Sequence, residues 1–125
     1  MPKAGDRYRR RLDAAGSRAL GAAMEFSCTA ERFADHVVFT VAGDVDLAAH
    51  TRLQGDIDQS WDASTNLVID CARITFLDSM GLRVLVHAMQ RATAAGRTIT
   101  LAAPSPPVLR VLELAGVKDL FLTAL

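Results

Sequence analysis

The sequence predicts an α/β domain built on a mostly parallel sheet of about five strands. Three observations carry this. Short β-branched and aromatic runs alternate with amphipathic segments of helix length. Glycine, proline or capping residues mark most changes of pattern. Half of the 125 residues are apolar, enough to furnish the core of one domain.

The first 24 residues stand apart from the rest. They carry Lys3, Arg7, Arg9, Arg10, Arg11 and Arg18 against Asp6 and Asp13, with few large apolar side chains. The expectation is a basic, flexible N-terminal tail over residues 1–24 and a domain over residues 25–125. The formal net charge of the chain is zero, so the domain is acidic by the margin that the tail is basic. A neutral chain has no general drive toward nucleic acid or a charged membrane surface. No apolar run approaches the ~20 residues that span a bilayer. The N-terminal charges lead into no apolar stretch of the secretory kind. Two cysteines do not make a disulfide framework. The expected compartment is the cytoplasm.

The elements follow in order. Phe26–Arg32 alternates loosely and suits an edge strand. His36–Ala42 is β-branched and aromatic, and its strand is expected to end at Gly43. Asp46 is a suitable N-cap for a helix running to about Ser60, with Leu47, Leu53 and Ile57 as its apolar face and His50 near that stripe. Gly55 weakens that helix by about 1 kcal/mol relative to alanine. Leu67–Cys71 is a short apolar strand. Ile74–Gly81 leads into the strongest helix, where Leu82, Leu85, Val86, Met89 and Thr93 recur at helical spacing. Gly96 stops it. Arg97–Ala103 is the next strand. Ser105 is placed to cap a helix whose first turn holds Pro106 and Pro107. That helix, Val108–Ala115, stops at Gly116, and Val117–Leu122 forms the last strand. Strands separated by helices of this length pair in parallel through right-handed crossovers.

The stretch Phe76-Leu77-Asp78-Ser79-Met80-Gly81-Leu82 carries the chemistry. Ser79 lies where strand and loop turn into the strongest helix. The first N–H groups of a helix lack intrahelical partners. A serine there caps the helix, or presents a hydroxyl where a phosphate would meet free donors and the positive end of the helix dipole. Residue spacing alone leaves both readings open, and leaves Asp78 as a loop carboxylate. Gly81 keeps the first turn free of a side chain, so that a partner's active site can approach.

The stretch resembles the D-S-x-G-[LIV] signature of the STAS domain, the sulphate transporter and anti-sigma factor antagonist family. Gly43-Asp44-Val45-Asp46 is similar to that family's G-[DE]-[LIV]-D. Leu67-Val68-Ile69-Asp70 resembles its apolar strand before the signature, and Val108–Val117 its last helix and following turn. The four matches occur in family order over about residues 26–122. The resemblance implies a βα superhelix with helices mainly on one face of the sheet. It also implies an anti-sigma factor antagonist that is no enzyme and needs no cofactor. Its partner would be an anti-sigma factor with serine kinase activity, which phosphorylates the serine after the aspartate, here Ser79. The unphosphorylated chain would bind that partner and free the sigma factor, and a PP2C-like phosphatase would restore the hydroxyl. The surface implied for partner binding comprises Asp44, Asp46, Asp78, Met80, Gly81, Leu82 and Arg83. Many members carry Ser or Thr where this chain has Met80, which removes a second acceptor and puts an apolar side chain in the docking surface. A monomer or weak homodimer is expected.

Two other functions compete with this one. A STAS module serving as scaffold or sensor would bind a nucleotide or another small ligand without switching. A serine hydrolase would need G-x-S-x-G, but Leu77 occupies the first glycine's place. His36, His50 and His87 lack metal-ligand spacing. Cys28 and Cys71 are expected as buried thiols; the strand order that the resemblance implies puts them on strands flanking the second strand, too far apart for a bridge. Trp61 is expected in or at the rim of the core, and Arg83 and Arg91 as solvated charges.

Overall fold

The computed structural model describes residues 25–124, so the proposed tail lies outside the described residues. The strands are β1 (Ser27–Arg32), β2 (His36–Val45), β3 (Asn66–Leu77), β4 (Ile99–Ala102) and β5 (Leu122–Ala124). The helices are α1 (His50–Ser60), α2 (Ser79–Ala94) and α3 (Pro106–Leu114). The sheet order is β1-β2-β3-β4-β5, with β1 antiparallel to β2 and every other pair parallel. Each strand therefore pairs with its neighbour in sequence. Right-handed crossovers stepping in one direction put successive helices on one face.

The burial pattern agrees. On β2, Val37, Phe39, Val41 and Val45 are buried while Val38, Thr40 and Asp44 are half-buried. The buried set joins Leu53 and Ile57 of α1, Val84 and Leu85 of α2, and Val108 and Leu112 of α3 in one core. Trp61 is buried at the end of α1, and its indole Nε1 donates to the Thr65 carbonyl at 2.9 Å.

Several local expectations are corrected. β2 does not end at Gly43 but runs to Val45, because two register shifts keep it paired with β3. Gly43, opposite the irregular part of β3, has φ +86°, and a Cβ there would stand 2.1 Å from the Glu25 carbonyl oxygen, so only glycine fits. Asp46 does not cap α1 itself. Its carboxylate accepts from the amides of Ala48 and Ala49 at 3.1 and 3.0 Å, making a turn that delays the helix to His50. Leu47 consequently stands 68% exposed and Ala49 is buried in its place.

The buried stripe of α2 is Gly81, Val84, Leu85, Ala88 and Ala92, rotated from the predicted one. Leu82, Val86 and Met89 are only partly buried, and Thr93 is exposed. The small residues on this stripe let the helix lie close to the sheet. At Gly81 a Cβ would meet Leu77 Cδ1 at 2.6 Å and Val45 Cγ1 at 2.7 Å.

Gly96 and Gly116, both at φ +70°, close α2 and α3 as expected. In each case the next residue's amide reaches back into the last turn, Arg97 to Ala92 at 2.8 Å and Val117 to Leu112 at 3.0 Å. Val117 is thereby withdrawn from the predicted last strand. Lys118–Leu120 form a 3₁₀ turn, and β5 begins only at Leu122.

Candidate phosphorylation and partner-binding site

The site lies where the C-terminal ends of β2 and β3 meet the start of α2. Val45 pairs with Leu77 across the two strands, and the Asp78 amide donates to the Val45 carbonyl at 3.3 Å. Asp46 and Asp78 thus leave adjacent strands from the same rung. Asp44 pairs with Phe76 one step earlier, and its carboxylate accepts from the Thr75 hydroxyl at 2.5 Å. Open parallel sheets commonly bind their partners at this strand end.

Asp78, not Ser79, is the N-cap of α2. Its Oδ1 accepts from the amides of Met80 at 3.0 Å and Gly81 at 2.9 Å. Ser79 is therefore not the cap of α2. The carboxylate satisfies the first orphan donors of the helix. Ser79 follows as the first helical residue and is exposed.

The predicted surface residues separate into three groups. Asp44 and Asp46 line a hollow of about 260 Å³ together with Phe26, Ala48 and Arg52. Met80 and Arg83 line a different and larger groove between α1 and α2. Gly81 is buried against Val45 and Leu77, so its lack of a side chain serves helix packing and not the approach of a partner. Leu82 is half-buried beside it.

Sequence reasoning missed two exposed apolar side chains beside the acidic loop, Leu47 and Phe76, the latter 47% exposed. Phe76 is turned outward because β3 loses strict alternation after Cys71, leaving Ile74 and Leu77 as its buried residues. The two-versus-one pairing that causes this has no mark in the local sequence.

Residues set aside at the sequence level fall as follows. Cys28 and Cys71 are free and buried on β1 and β3, with β2 between them. Burial pushes the Cys71 thiol up to about 12, with Asp70 adding to the effect. Burial raises the Cys28 thiol further, Asp56 adds to the rise and Arg52 opposes it. Arg91 is not a solvated charge. It pairs with Asp58 at 2.6 Å and stacks 4.9 Å from the Trp61 ring centroid. His87 lies eight residues beyond Ser79 on α2, about 12 Å along the axis, so it is no base for that hydroxyl. Among the described residues no group of three His, Cys, Asp or Glu side chains is arranged to hold a metal ion, and no helix is long and apolar enough to cross a membrane.

With the geometry in place, comparisons with known proteins define the class. The STAS domain profile matches residues 27–125, and the chain belongs to the STAS domain family. Its fold is similar to that of SpoIIAA, an anti-sigma factor antagonist solved in its unphosphorylated form. That match has 24% identity, a TM-score of 0.68, and coverage of 79% of this chain and 89% of that one. An anti-sigma factor antagonist from Mycobacterium paratuberculosis matches at 24% identity and TM-score 0.72, over 80% of this chain and 86% of that one. The fold also matches part of the murine anion transporter Slc26a9, at 22% identity and TM-score 0.60, over 71% of this chain but 15% of the transporter. Similarity at this level of identity establishes the fold. No curated protein sequence matches the chain.

Proposed function

We propose that this chain is an anti-sigma factor antagonist, switched by phosphorylation of Ser79. The observation that carries the reading is the division of labour at the start of α2. Asp78 holds the helix N-terminus, so the Ser79 hydroxyl stands exposed and is not needed for capping. Asp46 leaves the neighbouring strand from the same rung as Asp78, Asp44 lies one step earlier, and Leu47 and Phe76 supply apolar contact. The partner is an anti-sigma factor with serine kinase activity, which brings ATP and magnesium. A PP2C-like phosphatase reverses the modification. The chain performs no reaction of its own and works in the cytoplasm.

Phosphorylation adds about −1.5 to −2 charges. They fall beside Asp78 and near Asp46, against a partner surface fitted to a neutral hydroxyl. Each ~1.4 kcal/mol of lost interaction weakens binding tenfold. Interface repulsion of a few such steps releases the partner with no refolding. The amide NMR spectra of the two phosphoforms then differ around residues 44–46 and 78–84 and agree elsewhere.

The test is incubation with an anti-sigma kinase and ATP, followed by intact mass measurement. A gain of one phosphate, absent in Ser79→Ala, is expected. In pull-downs from the native cell, Ser79→Ala retains the partner and Ser79→Glu loses it. Phosphate on another residue, or equal capture by both variants, refutes the switch.

A further inference from the structure

The groove between α1 and α2 has features that partner switching at Ser79 does not use. It encloses about 710 Å³, inside the ~300–1,000 Å³ range of small-molecule sites. Met80, Val84 and Val86 supply its apolar lining among polar side chains such as Thr51, Gln54 and Gln90, and Gly55 leaves its α1 wall open. A Cβ on Gly55 would meet nothing within 4 Å. A glycine that costs a helix about 1 kcal/mol therefore serves no packing need there, and it widens the groove.

The groove is electrically polar along its length. α1 and α2 each return the chain between parallel strands, so they run side by side in the same direction. His50 and Met80 line the groove at the two helix N-termini, and Asp58 lines it near the other end. Asp58 is already held by Arg91 at 2.6 Å and by the Gln54 side-chain amide at 2.9 Å. At the N-terminal end Arg83 has no ion-pair partner among the described residues. His50 adds an imidazole from the α1 wall at this end, and His87 adds one from the α2 wall farther along. Two helix N-termini contribute positive potential in the same place. Asp44 and Asp46 line the separate hollow on the β1 side and do not line this groove.

We infer that the α1–α2 groove binds an anionic amphiphile of the long-chain carboxylate class. Its carboxylate sits by Arg83 and His50, and its apolar chain lies over Val84 and Val86 toward Asp58. Apolar lining from Met80, Val84 and Val86, with the one carboxylate already paired with Arg91 and the Arg83 guanidinium unpaired, fits a ligand with one anionic head and one apolar tail. The head lies at the same end of α2 as Ser79, because Met80 belongs to the groove wall. Occupancy and a phosphate on Ser79 oppose each other electrostatically, which makes the ligand a regulator of the proposed switch. Binding itself does not rest on that reading.

The experiment is a titration of the ¹⁵N-labelled full chain with dodecanoate below its micellar concentration, with dodecanol and dodecyltrimethylammonium as headgroup controls. Saturable shifts are expected at Gly55, Met80, Val84 and His87, with dodecanoate preferred over both controls. Gly55→Leu fills the groove, and Arg83→Glu reverses the charge. Each is expected to weaken dodecanoate binding by ~tenfold or more, while circular dichroism and the thermal midpoint report an intact fold. Ser79→Glu is expected to weaken it to a smaller degree. No saturable shift, equal binding of the cationic amphiphile, or shifts confined to the helix-free face of the sheet would overturn the inference. If dodecanoate fails and an acidic amphipathic peptide shifts the same amides, the groove is a protein-docking surface and the inference is equally overturned. Loss of phosphorylation with dodecanoate binding intact would count against the switch alone.

Discussion

Two helices of this domain begin beside a serine, and the two serines have opposite fates. At α2, Asp78 takes the cap and Ser79 is left exposed. At α3, Ser105 holds the N-cap position but makes no cap hydrogen bond. Its hydroxyl is buried and donates to the Ile74 carbonyl of β3 at 2.6 Å. Pro106 and Pro107 lack N–H groups, so little capping is required there. A serine at a helix start is thus available for modification only when a neighbour relieves it of structural duty and the backbone around it is open. Position along the helix does not decide this.

Substituting each position tests the contrast, beginning with the largest effect. Ser105→Glu buries an unpaired carboxylate and removes the donor to Ile74. A loss of ~3–5 kcal/mol is expected in urea denaturation, and a near-wild-type midpoint would show that Ser105 is not the packed residue described. Asp78→Ala removes the cap of α2 at a cost of about 1 kcal/mol, with the greatest rise in amide exchange at Met80 and Gly81. Ser79→Glu places a charge at an exposed helix start. It is expected to change stability by no more than ~0.5 kcal/mol while abolishing the proposed partner capture. A large stability loss there would mean that the hydroxyl has structural work after all.

The contrast depends on native packing, which the two buried thiols report. The Cys28 and Cys71 thiols are raised, so the folded state favours their protonated form. Their contribution is complete below the unfolded thiol range and declines as pH rises from about 9 toward about 12, the folded value for Cys71. The denaturation midpoint should therefore fall with pH through that window and be unaffected by these groups at neutrality. In native protein at pH 8 a disulfide-exchange reagent should label neither cysteine. Rapid labelling in any serine variant identifies a disrupted core, and its binding data then say nothing about the interface.

Much of this architecture is legible without coordinates. The glycine stops at Gly96 and Gly116, the buried pair Leu53 and Ile57, and the acidic and serine-bearing loops all follow from local chemistry. What stays hidden depends on contacts between distant segments. The α2 stripe is rotated because small residues win the close approach to the sheet, a preference that hydrophobicity does not reveal. Leu47 is exposed because Asp46 closes a turn before the helix starts. The bond from Ser105 to Ile74 joins residues 31 positions apart. The α1–α2 groove exists only once two helices lie side by side, although Gly55 within a helical pattern hinted at a need for space.

The order of the strands bears on how the chain acquires its shape. No strand waits for a partner made much later, so the sheet can extend in the direction of synthesis with short loop closures throughout. Ser79 is set by β2, β3 and α2, which precede β4, α3 and β5 in the chain. The Ser79 hydroxyl is presented by the first half of the domain in sequence, and the remaining segments cover the core behind it.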